Sequence, residues 1–255
     1  MSLHTEHYGA GPDLVLLHGW GLSSAIWQPL IEPLASHYRL TLIDIPGLGQ
    51  SPTLECTSID SVAEMLLDGA PERAVWLGWS LGGALALAVA NRAPERVSQL
   101  VLTAATPCFV QRDDWPCAMA EETFDAFASG LGDNGAKTLS RFAMLQTQGS
   151  TSARQELRLL KQVIAASAAD EQGLVATLAL LAEDLRPLLA HVSHPLMLML
   201  GEQDPLVPIE MAEHIGSLRA DAVIRRYATA AHLPFITEPA RFIEDLDDFI
   251  AGSRL

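Results

Sequence analysis

The stretch Gly78-Trp79-Ser80-Leu81-Gly82 constrains this chain more than any other. It follows an apolar run, Ala74-Val75-Trp76-Leu77, that reads as a buried strand. It precedes Gly83-Ala84-Leu85-Ala86-Leu87-Ala88-Val89-Ala90, which is built of strong helix formers. A chain passing from strand to helix this quickly turns sharply. Side chains at positions 78 and 82 would collide in such a turn, which accounts for glycine at both. The serine between them is lifted clear of the backbone, and the helix N-terminus behind it favours developing negative charge. The pattern predicts an accessible nucleophile on a strand–elbow–helix unit. A glycine-rich turn with a bystander serine is the plainer alternative. Partner residues elsewhere in the chain decide between the two.

The alternation of strand and helix extends over most of the sequence. Leu14-Val15-Leu16-Leu17 ends in His18-Gly19-Trp20-Gly21, and Leu40-Thr41-Leu42-Ile43-Asp44 is stopped by Pro46-Gly47-Leu48-Gly49. Leu100-Val101-Leu102, Leu196-Met197-Leu198-Met199-Leu200 and Val223-Ile224-Arg225-Arg226-Tyr227 read as further strands. Helical stretches lie near residues 24–36, 58–69, 81–92, 208–218 and 239–251. Continuous apolar strands alternating with helices predict an α/β chain with a mostly parallel sheet, covered by helices on both faces. The alternation lapses between about Phe109 and Pro187. That region carries helix-length patterns, Ala136 to Leu145 and Ser152 to Ala166, broken by the glycine-rich 130–135 segment and by Gly149. A core of residues 1–108 and 188–255 is expected, with residues 109–187 inserted as a helical cap.

Bulk properties narrow the partners. A 255-residue chain with 49% hydrophobic residues can bury one large core. Met1 to His7 has no basic region followed by an apolar one, so no signal peptide is expected. The longest apolar run, Ala84 to Ala90, is far too short to cross a bilayer. Cys56, Cys108 and Cys117 are odd in number and lack CxxC spacing, which points to a reducing compartment rather than to disulfides or zinc. A cytoplasmic protein is expected. A net charge of −15 disfavours nucleic acid and anionic membrane as partners.

A nucleophilic serine needs a base for its proton and an acid to orient that base. On this architecture they should follow in the order serine, acid, histidine, each after a strand. His232, in Ala230-Ala231-His232-Leu233-Pro234, lies past the last strand and before the final helix. Asp204, in Gly201-Glu202-Gln203-Asp204-Pro205, follows the Leu196–Leu200 run, and Pro205 biases it away from helical geometry. Glu202 is its local competitor. His37, His191, His194 and His214 fall on or beside helices and read as ordinary surface residues, and no acid or cysteine cluster suggests a metal at His191 and His194. The oxyanion donors are assigned to the backbone N–H groups of Leu81 and of Trp20, with the Trp20 ring also walling the site. His18 is expected to hold that loop rather than act as a second base.

The assembled pattern resembles the α/β-hydrolase superfamily over essentially the whole chain. More narrowly it is similar to the pimeloyl-[acyl-carrier protein] methyl ester esterases of biotin synthesis. The similarity rests on Leu14 to Leu22, Trp76 to Gly83, Pro107-Cys108-Phe109 with Asp114-Trp115-Pro116, and Arg141-Phe142 through Leu145-Gln146-Thr147. The resemblance implies a Ser80, His232, Asp204 carboxylesterase with neither metal nor organic cofactor. It also implies substrate contacts from Trp20, Leu81 and the segment Phe142, Ala143, Met144, Leu145 and Gln146.

The charge distribution gains meaning beside that resemblance. Residues 134–169 hold Lys137, Arg141, Arg154, Arg158 and Lys161 against a single acid, Glu156. Their spacing of three and four places each set on one helix face. A solvated helix face would explain such a run in an average protein, but a concentrated basic cap suits an acidic acyl carrier protein. Lys137, Arg141, Arg154 and Arg158 are the expected docking residues. Lys137 stands where the family pattern has arginine, keeping the charge without the bidentate geometry. The enzyme is expected to act as a monomer. A general short-chain carboxylesterase would use the same triad, and a catalytically silent binding protein of this fold is the remaining alternative.

Overall fold

A computed structural model describes residues 2–53 and 58–252. Among these residues, seven strands form one sheet in the order β1-β3-β2-β4-β5-β6-β7. They are β1 (Thr5–Tyr8), β2 (Asp13–Leu17), β3 (Arg39–Ile43), β4 (Ala74–Trp79), β5 (Val97–Thr103), β6 (Leu196–Gly201) and β7 (Val223–Tyr227). All neighbours pair in parallel except β1, which runs antiparallel to β3 at the edge. The sequence did not announce β1, because Thr5-Glu6-His7-Tyr8 is polar and pairs on one side only.

The helices of the core are α1 (Gln28–Ala35), α2 (Ile59–Gly69), α3 (Leu81–Arg92), α8 (Met211–Leu218), α9 (Pro234–Thr237) and α10 (Pro239–Gly252). Period-two alternation sorts each strand between two cores. Val15 and Leu17 pack with α2, α3 and α8, whereas Leu14 and Leu16 pack with α1, α9 and α10. Strands buried on both faces read as the continuous apolar runs of the sequence.

Between β5 and β6 the chain leaves the sheet for α4 (Glu121–Thr147), α5 (Ala153–Ala166), α6 (Glu171–Leu180) and α7 (Arg186–His191). The break falls inside the glycine-rich 130–135 segment, as expected, but at its asparagine rather than at a glycine. The helical run continues through Gly130 and interrupts at Asn134 (φ −161°, ψ 86°). Asn134 Oδ1 accepts the Lys137 N–H at 3.0 Å and so caps the second half of α4. Thr138 Oγ1 donates to Gly130 O at 2.8 Å across the kink.

Cys108 is buried and Cys117 half-buried, both as free thiols, while Cys56 lies outside the described residues. Among the described residues no helix is long and apolar enough to cross a membrane.

Candidate active site

The chain runs from β2 outward to β3 and then crosses back to place β4 on the other side of β2. Such a switch point opens a crevice at the carboxyl ends of the strands. The His18–Gly21 loop follows β2 and Ser80 follows β4, so both stand at this crevice.

Ser80 has φ 54° and ψ −119°, a conformation costing an L-residue about 1–3 kcal/mol. Its neighbours hold it there. Ser80 N–H donates to Thr103 O at 2.9 Å, and Ser80 O accepts the Gly83 N–H at 2.9 Å. A Cβ on Gly78 would stand 2.1 Å from Gly82 O. A Cβ on Gly82 would instead meet Leu17 O at 2.4 Å and His18 O at 2.6 Å. The second glycine therefore answers to the end of β2, not to the side chain at 78 as the turn alone suggests.

Asp204 and His232 meet on the loops after β6 and β7. Asp204 Oδ2 lies 2.7 Å from His232 Nδ1. Its other oxygen accepts the N–H groups of Leu206 (2.8 Å) and Val207 (3.1 Å), so the carboxylate is fixed at both ends. Both side chains are almost wholly buried. His232 Nε2 is buried without a hydrogen-bond partner among the described residues. The backbone of His232 is gripped as well: its N–H donates to Gln146 O at 3.1 Å, and its carbonyl accepts the Trp79 indole N–H at 2.8 Å. The Trp79 and His232 rings lie 5.5 Å apart, which puts the imidazole beside the elbow. The competitor Glu202 is exposed.

The loop after β2 packs against the elbow. A Cβ on Gly19 would stand 3.1 Å from the Trp79 ring and 3.4 Å from Ser80 Cβ. Trp20 is buried, donates its indole N–H to Leu174 O of α6 at 3.0 Å, and meets the Phe142 ring edge-on at 5.1 Å. Leu81 opens α3, so its amide belongs to the first turn, where no intrahelical acceptor exists. His18 is fully buried; Nδ1–H donates to Gly19 O (2.8 Å) and Nε2 accepts the Ile45 N–H (3.0 Å). That pair of partners selects one neutral tautomer. Burial pushes the His18 pKa down, against the opposing pull of Asp44 and of the Gly19 carbonyl. His37 pairs with Asp247 at 2.9 Å and His214 packs beside Trp115, away from any such role.

The segment after Arg141 divides. Phe142 reaches Trp20, Gln146 reaches His232 through its carbonyl, and Ala143 is buried in the core. Met144 and Leu145 line a surface groove of about 510 Å³ together with Phe127, Thr138 and Arg141. Lys137, Arg141, Arg154, Arg158 and Lys161 are all exposed, and among the described residues none of them forms an ion pair. No group of His, Cys, Asp and Glu among the described residues could hold a metal. Trp79 is the residue that motif reading overlooked; an indole inside a nucleophile elbow needs an acceptor, and the base's carbonyl supplies it.

This sheet, elbow and strand-end acid and histidine define an α/β-hydrolase. The family model for the α/β hydrolase fold matches residues 12–239. Among solved structures, a bromoperoxidase from Bacillus anthracis superposes with a TM-score of 0.87 at 21% identity, covering 98% of this chain and 95% of that one. An esterase from Exiguobacterium antarcticum does so with a TM-score of 0.82 at 24% identity, covering 98% and 95%. Likeness at that identity speaks for the fold alone. Closer in sequence are two pimeloyl-[acyl-carrier protein] methyl ester esterases. The protein from Vibrio vulnificus is 40% identical over 97% of this chain and 98% of its own. That from Photobacterium profundum is 41% identical over 95% and 96%. The chain belongs to this esterase family within the α/β-hydrolases.

Proposed function

We propose that this chain hydrolyses the methyl ester of a pimeloyl group borne on acyl carrier protein, through an acyl-enzyme on Ser80. The observation that carries the chemistry is the 2.7 Å contact of Asp204 with His232 Nδ1, with Nε2 buried beside the elbow and without a hydrogen-bond partner among the described residues. The substrate assignment rests on the names of relatives 40–41% identical over nearly the whole chain.

Ser80 Oγ attacks the ester carbonyl while His232 Nε2 takes its proton. Asp204 holds the imidazole in the tautomer this requires and stabilises the imidazolium. The N–H groups of Trp20 and Leu81 stabilise the oxyanion. The imidazolium then protonates the departing methoxide, which leaves as methanol. Water, deprotonated by His232, releases the free pimeloyl carboxylate. Side chains and backbone supply every step.

Residues 109–187 serve as a cap, and its exposed cations Lys137, Arg141, Arg154 and Arg158 dock the acidic carrier. Docking there fixes the thioester away from Ser80 and delivers only the distal methyl ester. The triad is complete within one chain, which supports action as a monomer. A carrier-bound substrate and the free Cys108 and Cys117 support a cytoplasmic setting. The test is kcat/KM for the carrier-bound pimeloyl methyl ester against a free short-chain ester. A strong preference for the former is expected, abolished for both by Ser80→Ala. Equal values would leave a general esterase.

A further inference from the structure

The cap contains a carboxyl that the reaction above does not use. Glu156 is the single acid among residues 134–169, and it sits on α5 between the exposed Arg154 and Arg158. It points the other way. The residue is 0% exposed, and burying a carboxyl is costly unless hydrogen bonds replace water. Glu156 Oε1 accepts the Ser150 hydroxyl at 2.7 Å and, very closely, the Thr237 hydroxyl. Oε2 is buried without a partner among the described residues. Burial pushes the Glu156 carboxyl up, opposed by the two hydroxyls and by His232, which is near enough to act on it electrostatically.

The two hydroxyls belong to the two pieces of chain that flank His232. Ser150 sits in the strap joining α4 to α5. Just before it, in the last turn of α4, Gln146 O takes the His232 N–H at 3.1 Å, and within the strap the Thr151 N–H donates to Thr229 O at 3.1 Å. Gly149, at φ +91°, lies so close to Gln203 that a Cβ there would meet Gln203 O at 3.1 Å. One strap thus touches the loops carrying both Asp204 and His232. Thr237 closes α9, which begins two residues after His232, and its hydroxyl also donates to Leu233 O at 3.2 Å.

We propose that Glu156 is a positioning residue for His232: by tying the Ser150 strap to Thr237 it fixes the backbone on both sides of the imidazole. The idea rests on His232 being the base. A carboxyl that only pinned the cap would change thermal stability or substrate affinity. One that positions the base changes the chemical step.

A small neutral p-nitrophenyl ester, which needs no docking, separates the two. Glu156→Ala should lower kcat about tenfold, the scale of lost hydrogen bonds to a buried carboxyl, with KM within about twofold. Phosphonylation of Ser80 by a fluorophosphonate should slow in parallel. Glu156→Gln keeps an oxygen acceptor and should retain most of the rate. Ser150→Ala and Thr237→Val each remove one donor and should each lower kcat by a smaller factor, and these decide the matter if Glu156→Ala does not fold. Wild-type kcat in the folded Glu156→Ala protein, or in both hydroxyl variants, would overturn the proposal. So would a Glu156→Gln protein as impaired as the alanine variant. Absence of Ser80-dependent turnover in the wild type would remove the esterase reading itself, a result distinct from an active enzyme indifferent to Glu156.

Discussion

At the residue scale, the position of the acid is set by hydrogen bonds rather than by proximity in sequence. Asp204 and Glu202 both follow β6, yet only Asp204 has its carboxylate fixed, by the Leu206 and Val207 amides on one oxygen and by His232 on the other. Asp204→Asn keeps the packing but presents His232 in the wrong tautomer. By analogy with serine proteases, kcat at neutral pH should fall roughly 10⁴-fold. Glu202→Gln, at an exposed position, should cost little; reversed effects would reassign the acid. His18 yields a second prediction at this scale. Burial holds its pKa below the ordinary value of 6.5, so the unfolded chain takes up a proton there that the folded one refuses. The stability this provides is complete above pH 6.5 and is lost as pH falls below it. Replacing His18 by Gln should remove a slope approaching about 1.4 kcal/mol per pH unit from the acid side of the stability profile. Chemical denaturation at stepped pH measures it, and parallel wild-type and variant curves would contradict it.

At the element scale, what the sequence disclosed depended on how each element is buried. Strands β2 to β6 were legible because a parallel sheet is covered on both faces, which writes apolar runs such as Leu196 to Leu200. Edge strand β1 writes no such run. In the insertion, α6 went unread because Glu171 to Leu180 is apolar around much of its circumference, and α7 is only six residues long. The Ser80 elbow and the Asp204–His232 pair were legible because each residue sits where a strand signal ends. The end of α4 and the strap after it were not, because Gln146 and Gly149 act through their backbone, and backbone contacts leave little trace in side-chain identity. The kink in α4 was legible to within the 130–135 segment, where glycines mark permission to break and the Asn134 cap marks the break itself. Asn134→Ala should therefore cost about 0.5–2 kcal/mol, as cap losses do. For a chain of this size that is a drop of a few degrees in Tm, about 2–4 °C per kcal/mol. Asn134→Ser should restore it, and equal melting of all three proteins would show that the cap is idle.

At the scale of the whole molecule, the charge is segregated. The chain carries a net charge of −15, yet residues 134–169 hold five cations against one acid, and that acid is buried. On the proposed docking, an acidic carrier would be repelled by most of the surface and attracted by these cations, so that charge would select orientation before any short-range contact forms. Exposed pairs are individually worth about 0.2–1 kcal/mol, so two reversals together are needed for a clear signal. Arg141→Glu combined with Arg158→Glu should lower kcat/KM for the carrier-bound ester, because attraction becomes repulsion. Added salt should slow the wild-type reaction with that substrate, since the Debye length is only about 10 Å at 0.1 M, and should affect the variant less. A small neutral ester reaches Ser80 without crossing the charged face, so its hydrolysis should stay nearly constant in both proteins. Equal losses on the two substrates would mean that the substitutions had damaged the cap. No loss on either would reduce the basic face to solvated surface and leave the triad serving free esters.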